Sequence, residues 1–160
     1  MKQLLSNKKK DLQLVNLPIE DGFLSLRCLS PKKLRFEVEY ALGKGTTSNT
    51  FLFFKRNIST AILVNPPGEK FREVFLPELK KIVPTNIREL LIITGHINPN
   101  RVSLLREIVK EYDNLTIICS NPGAKLLQEL WKQVKPAKNN IDIAPNPQIS
   151  DIKKLFKRIK

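Results

Sequence analysis

The 160-residue sequence predicts an α/β fold with a mixed, largely parallel sheet toward its C-terminal end. Three observations carry that expectation. Four runs, TFLFF at 50–54, ISTAILV at 58–64, ELLIIT at 89–94 and LTIICS at 115–120, are apolar on both faces, as strands covered above and below would be. Stripes with helical spacing separate them from residue 58 onward, so the order is strand, helix, strand, helix, strand, helix, which right-handed crossovers turn into a parallel sheet. The last three strand runs each lead to an Asn-Pro pair, Asn65-Pro66, Asn98-Pro99 and Asn121-Pro122. Asparagine is a favoured N-cap, and proline suits the first helical position because its missing N–H has no partner there.

Taken in chain order, FLSLRCL at 23–29 alternates imperfectly, whereas LRFEVEY at 34–40 puts Leu34, Phe36, Val38 and Tyr40 on one face and charges on the other, a strand with one wet side. The first helical stripe is Phe71, Val74, Phe75, Leu79, Ile82 and Val83, with Pro77 expected to kink or restart it. The second is Val102, Leu105, Ile108 and Val109, and the third is Leu126, Leu127, Leu130, Trp131 and Val134. After residue 135 the text KPAKNNIDIAPNPQISDIKKLFKRIK reads as a linker, a short strand at 140–144 and a basic amphipathic helix with Ile152, Leu155, Phe156 and Ile159 in one stripe. The expected organisation is a domain over 1–135 followed by a linker and amphipathic helix over 136–160.

Composition narrows the function classes. A hydrophobic content of 41% and a charged content of 27% are ordinary for a soluble domain, and no apolar run reaches the length of a membrane span. The N-terminus lacks an apolar signal core and a small-residue cleavage site, so a cytoplasmic protein is expected. Cys28 and Cys119 read as core residues rather than as a disulfide or metal pair. The net charge of +13 is concentrated at the ends: Lys2, Lys8, Lys9 and Lys10 carry +4, and Lys153, Lys154, Lys157, Arg158 and Lys160 against Asp151 another +4, which leaves +5 for the 140 residues between. With no arginine-rich helix and no interleaved aromatics, that balance implies weak, salt-sensitive attraction to polyanions and little more.

Parallel topology gathers the loops after residues 64, 94 and 120 at the carboxyl ends of the strands, where open α/β sheets bind ligands. No GxxxxGK[ST] or GxGxxG follows a strand, which excludes the standard phosphate and dinucleotide loops. The single histidine, His96, opens the segment His96, Ile97, Asn98, Pro99, Asn100, Arg101, and nothing nominates a nucleophile to pair with it.

Four stretches together carry a resemblance: GKGTTSNTFLFF at 43–54, VNPPGEKF at 64–71, GHINPNRV at 95–102 and ICSNPGAKLL at 118–127. In this order they resemble the N-terminal, metallo-β-lactamase-like domain of flavodiiron proteins, and above all the cyanobacterial and chloroplast branch, whose members look like GTT-x-N, D-P-P-G-E, G-H-x-N-P-N-R and C-S-N-P-G at matching places. The resemblance implies a partial αβ/βα sandwich. For complete members it also implies NAD(P)H:oxygen oxidoreductases that pass electrons through FMN to a diiron centre reducing oxygen or nitric oxide. In the active branch the segment matching 96–101 looks like H-x-E-x-D-H. Here His96 alone keeps its ligand type, while Asn98, Asn100 and Arg101 stand where a glutamate, an aspartate and a histidine would. Asn65 stands where relatives usually carry an aspartate.

Two amides in place of anionic oxygens, and a guanidinium with no lone pair in place of an imidazole, leave a poor iron site. At an effective dielectric near 20, a unit positive charge ~4 Å from a dication is repelled by about 8 kcal/mol. The four positions are therefore read as a vestigial metal loop, with no catalytic, metal or cofactor-binding residues assigned. The expectation is a truncated, non-catalytic flavodiiron-like subunit or remnant, not an enzyme by itself, that holds neither diiron nor FMN and pairs with a full-length flavodiiron relative or with itself. The alternative is a basic module binding an anion, RNA or a membrane surface.

Overall fold

The computed structural model describes residues 12–31, 45–54, 57, 59–132 and 140–145. Strands β1 (Gln13–Glu20), β2 (Phe23–Ser30), β3 (Thr46–Phe54) and β4 (Thr60–Val64) come first. A 3-10 turn (Glu69–Phe71) and helix α1 (Arg72–Ile82) follow, then β5 (Glu89–Ile93), α2 (Pro99–Glu111), β6 (Asn114–Cys119), α3 (Asn121–Lys132) and β7 (Asn140–Pro145). The LRFEVEY strand expected at 34–40 and the amphipathic helix expected after residue 145 lie outside the described residues.

All seven strands form one sheet in sequence order, β1 to β7. The first four pair antiparallel, and β4 to β7 pair parallel, as the strand-helix alternation requires. The short strand expected at 140–144 is the parallel edge strand β7. Each crossover advances one strand in the same direction, so a constant hand sets α1, α2 and α3 on one face.

Strand register separates the side chains into two layers. Leu24, Leu52, Leu63, Ile92, Ile117 and Ile143 make a continuous row on the helical face, and most of them join one cluster with Phe71, Phe75, Leu79, Leu105, Ile108 and Leu127 from the helices. Full burial of each such side chain contributes roughly 1.5–3 kcal/mol. The opposite face carries the row Phe23, Phe53, Ile62 and Leu91, beside Phe51, Val64, Ile93 and Ile118. Among the described residues its cluster contains strand side chains only. Phe23 stacks on Phe53 with ring centroids 4.2 Å apart, while Phe51 stays 37% exposed; Val15 and Leu17, on the same face but across β2, are 36% and 37% exposed.

Three local outcomes differ from expectation. The chain before Phe23 forms β1, closed onto β2 by the Asp21-Gly22 turn, in which Gly22 takes a φ of 74° that few other residues accept. Helix α1 runs through Pro77 as one element, so the restart allowed for beside a kink does not occur; the carbonyl deprived of its donor, that of Glu73, belongs to an exposed residue that water can reach. Of the three Asn-Pro pairs, Asn98-Pro99 alone caps as expected; Asn65 adopts a left-handed turn, and α3 is capped by Ser120, whose Oγ accepts from the Gly123 N–H at 3.3 Å.

Candidate functional site: the carboxyl rim of the sheet

The rim is assembled from the ends of β4, β5 and β6, overhung by β3, whose residues Thr46–Asn49 extend beyond the end of β4. Asn65 leaves β4 with φ 57°, a conformation asparagine tolerates better than most residues. Four interactions hold that turn. Its N–H donates to Ile93 O at 2.8 Å, its carbonyl accepts from Thr50 Oγ1 at 3.0 Å, its Nδ2 reaches Asn49 O at 3.4 Å, and its Oδ1 accepts from Arg101 Nη1. The three residues that follow, Pro66, Pro67 and Gly68, are buried.

The loop after β5 contains the positions singled out in the sequence. Thr94 Oγ1 donates to His96 O at 3.2 Å, and His96 itself is exposed. Ile97 packs into the main core and meets the start of α3 at Gly123, where an added Cβ would lie 3.1 Å from Ile97 Cγ1, a tight contact that the Ile97 side chain would have to relieve. Asn98 is the N-cap of α2, its Oδ1 accepting from the Arg101 N–H at 2.9 Å, and Pro99 takes the first helical position. Asn100 is exposed on the first turn.

Arg101 points inward and is 6% exposed. Its Nη1 donates both to Asn65 Oδ1 and to Pro66 O, the latter at 3.2 Å. Of the four positions, His96 and Asn100 are exposed, the Asn98 oxygen is committed to the helix, and the Arg101 guanidinium reaches the turn after β4. A ferrous or ferric ion wants anionic oxygens and neutral imidazoles around it. Beside the single imidazole of His96, these residues offer a neutral amide at Asn100, an amide oxygen at Asn98 already used as a cap and a fixed positive charge at Arg101, a donor set that does not fit a diiron centre.

Sequence reasoning singled out Arg101 but missed Asn49, Thr50 and Ser120 as parts of this rim. The signal for Ser120 was present, since serine three residues before Gly123 is as good an N-cap as asparagine. Nothing in the sequence foretold the β3 overhang. The thiols also fit their core assignment: burial pushes Cys28 up to about 12 and raises Cys119. A cleft of about 760 Å³ opens at the other end of the sheet, lined by Asn16, Asp21, Phe54, Asn57, Glu78 and Lys81 among others, and contains none of the expected site residues.

No family model matches the chain. It is 42% identical over 118 residues to diflavin flavoprotein A 6 of Nostoc sp., an alignment covering 73% of this chain and 20% of that protein. The crystal structure of a fragment (1–254) of diflavin flavoprotein A 5 from Nostoc sp. superposes with a TM-score of 0.73 at 30% identity, over 88% of this chain and 52% of that one. A metal-soaked flavodiiron core from Synechocystis sp. gives a TM-score of 0.71 at 31% identity, over 83% of this chain and 32% of that one. The chain thus spans about a fifth of the length of the curated relatives it matches.

Proposed function

We propose, taking as premise that this chain belongs to the flavodiiron family through the N-terminal region of the diflavin flavoproteins A, that it acts as a non-catalytic partner subunit rather than as a reductase. The observation that carries this reading is the inward Arg101, whose guanidinium is tied to Asn65 and Pro66 in the loop that the family resemblance associates with metal. A permanent cation at that place opposes any dication, and no neutral form of arginine is accessible in a protein.

The partner surface is the sheet face opposite the helices. Phe51, 37% exposed, forms an apolar patch there with Phe23 and Phe53. Contiguous patches of this kind mark interaction sites. The occupant is a full-length flavodiiron relative or a second copy of this chain.

The test is sedimentation of the purified chain alone and mixed with diflavin flavoprotein A 6. The expected result is a homodimer or a co-sedimenting complex in which the hydrophobic dye signal of the free chain disappears. A compact monomer that binds no dye and leaves the relative's sedimentation unchanged overturns the reading. The basic-module alternative rests on the +4 carried by each end of the chain. Binding to RNA or anionic vesicles that falls steeply between low and physiological salt favours it.

A further inference from the structure

We infer that Arg101 is a cation built into the rim as a structural clamp, locking the turn after β4 to the first turn of α2 so that the rim keeps its shape without a metal ion. The inference deepens the non-catalytic reading and rests on it for the premise that no ion binds there.

The placement of Arg101 runs against three local preferences. A cation in the first turn of a helix meets the positive end of the dipole, and α2 has no acidic residue in that turn to offset it. A guanidinium at 6% exposure loses most of its hydration. Asn65, its acceptor, sits in a left-handed turn, which costs asparagine less than most residues but more than glycine. Conflicts of this kind persist where tertiary interactions outweigh them.

The interactions at hand have that character. Arg101 is fixed twice, its main chain by Asn98 Oδ1 at 2.9 Å and its side chain by Asn65 Oδ1 and Pro66 O. The turn it grips is tied in addition to β3 through Thr50 and to β5 through Ile93. One side chain therefore joins segments 35 and 36 residues away in sequence to the start of a helix. A metal ion orders several loops because it demands several donors in fixed directions. A planar guanidinium with five N–H donors makes the complementary demand on acceptors. Among the described residues the rim offers it two neutral oxygens, the Asn65 amide and the Pro66 carbonyl.

The experiment uses the full chain, with Arg101→Gln and Asn65→Asp as variants, and reads thermal midpoints and amide exchange with EDTA or added ferrous or zinc ion. The wild-type midpoint is expected to be indifferent to chelator and metal. Arg101→Gln should melt on the order of 5 °C lower and lose protection at the Asn65 amide, which faces Ile93 O. Asn65→Asp should gain stability relative to wild type at neutral pH and lose that gain in acid, as a carboxylate paired with Arg101 must. Wild-type melting and exchange in Arg101→Gln overturn the clamp, as does a midpoint that EDTA lowers in the wild type. If Arg101→Gln does not fold, Asn65→Asp decides, because a midpoint difference from wild type that is flat with pH overturns the pairing. A chain that shows this melting pattern but captures no partner overturns the subunit reading and leaves the clamp standing.

Discussion

Arg101 and Asn65, 36 residues apart, meet at the end of the sheet with the guanidinium donating to the amide oxygen, and the pair fixes the turn after β4 against the N-terminus of α2. The acceptor is a neutral amide rather than a carboxylate.

Replacing Asn65 by Asp makes that contact titratable. A carboxylate beside Arg101 has its folded pKa depressed below the ~3.9 of an unfolded Asp. Its extra stability is therefore present above about pH 4 and lost as pH falls through the folded value. The difference in melting midpoint between Asn65→Asp and wild type, followed from neutral pH to about pH 2.5, should shrink toward the acid end.

Asn98 is expected to contribute as a cap. Asn98→Ala removes the acceptor of the Arg101 N–H and should cost about 1 kcal/mol, whereas Asn98→Ser should keep most of it. Urea midpoints at constant slope read both. A loss in Asn98→Ser equal to that in Asn98→Ala would refute the capping role.

Tyr112 ends α2 and donates from its buried hydroxyl to Val83 O at 3.0 Å, at the end of α1. Tyr112→Phe keeps the ring and leaves a buried carbonyl without this donor, so a loss of about 1–3 kcal/mol is expected from chemical denaturation. Burial first and the nearby Glu111 charge second push the phenol above its ordinary range, so this donor stays protonated in any ordinary buffer.

The thiols should be silent in the native state. Burial pushes Cys28 up to about 12 and also raises Cys119, so disulfide-exchange reagents at pH 8 should label both only as fast as the chain unfolds. A raised pKa stabilises the fold at pH values below that of the unfolded thiol, ~8.5, and the contribution declines as pH climbs from there toward the folded value. Rapid stoichiometric labelling of the folded chain would contradict the burial of Cys28.

Much of the fold was legible because period and spacing are imposed by burial. The runs at 58–64, 89–94 and 115–120 became β4, β5 and β6 within one or two residues, and the stripe Val102, Leu105, Ile108, Val109 is the buried face of α2. Strand β1 was not legible in that way. Six of its last six residues are exposed, so solvent rather than a core governs its side chains, and the Asp21-Gly22 hairpin turn was its one clear signal. The first half of β3, Thr46–Asn49, reads as a polar loop, yet Thr46 and Ser48 are buried in the overhang that it forms.

At the rim, sequence reasoning left out Asn49, Thr50 and Ser120, and singled out the loop after β5 with His96, Asn98, Asn100 and Arg101. It could not say which way they point. Asn65 precedes a proline exactly as Asn98 does, but Pro66 leads to two more buried non-helical residues before any helix starts, and the asparagine is used for a left-handed turn instead of a cap. The inward course of Arg101 depends on acceptors contributed by residues 65 and 66, which no local pattern near residue 101 reveals.

The apolar sheet face provides a test at single-residue scale. Phe51→Glu sets a charge in the patch formed with Phe23 and Phe53, at a residue already 37% exposed. Association and dye binding should fall with little change in the melting midpoint of the chain itself. Unchanged association would move the partner surface elsewhere.

The most direct measurement is metal content after anaerobic reconstitution of the full chain with excess ferrous ion, followed by desalting and elemental analysis. With Asn98 spent as a cap and Arg101 occupying the loop junction, less than about 0.1 iron per chain is expected, with zinc equally absent. One or two tightly held iron atoms per chain would contradict the non-catalytic assignment at its root.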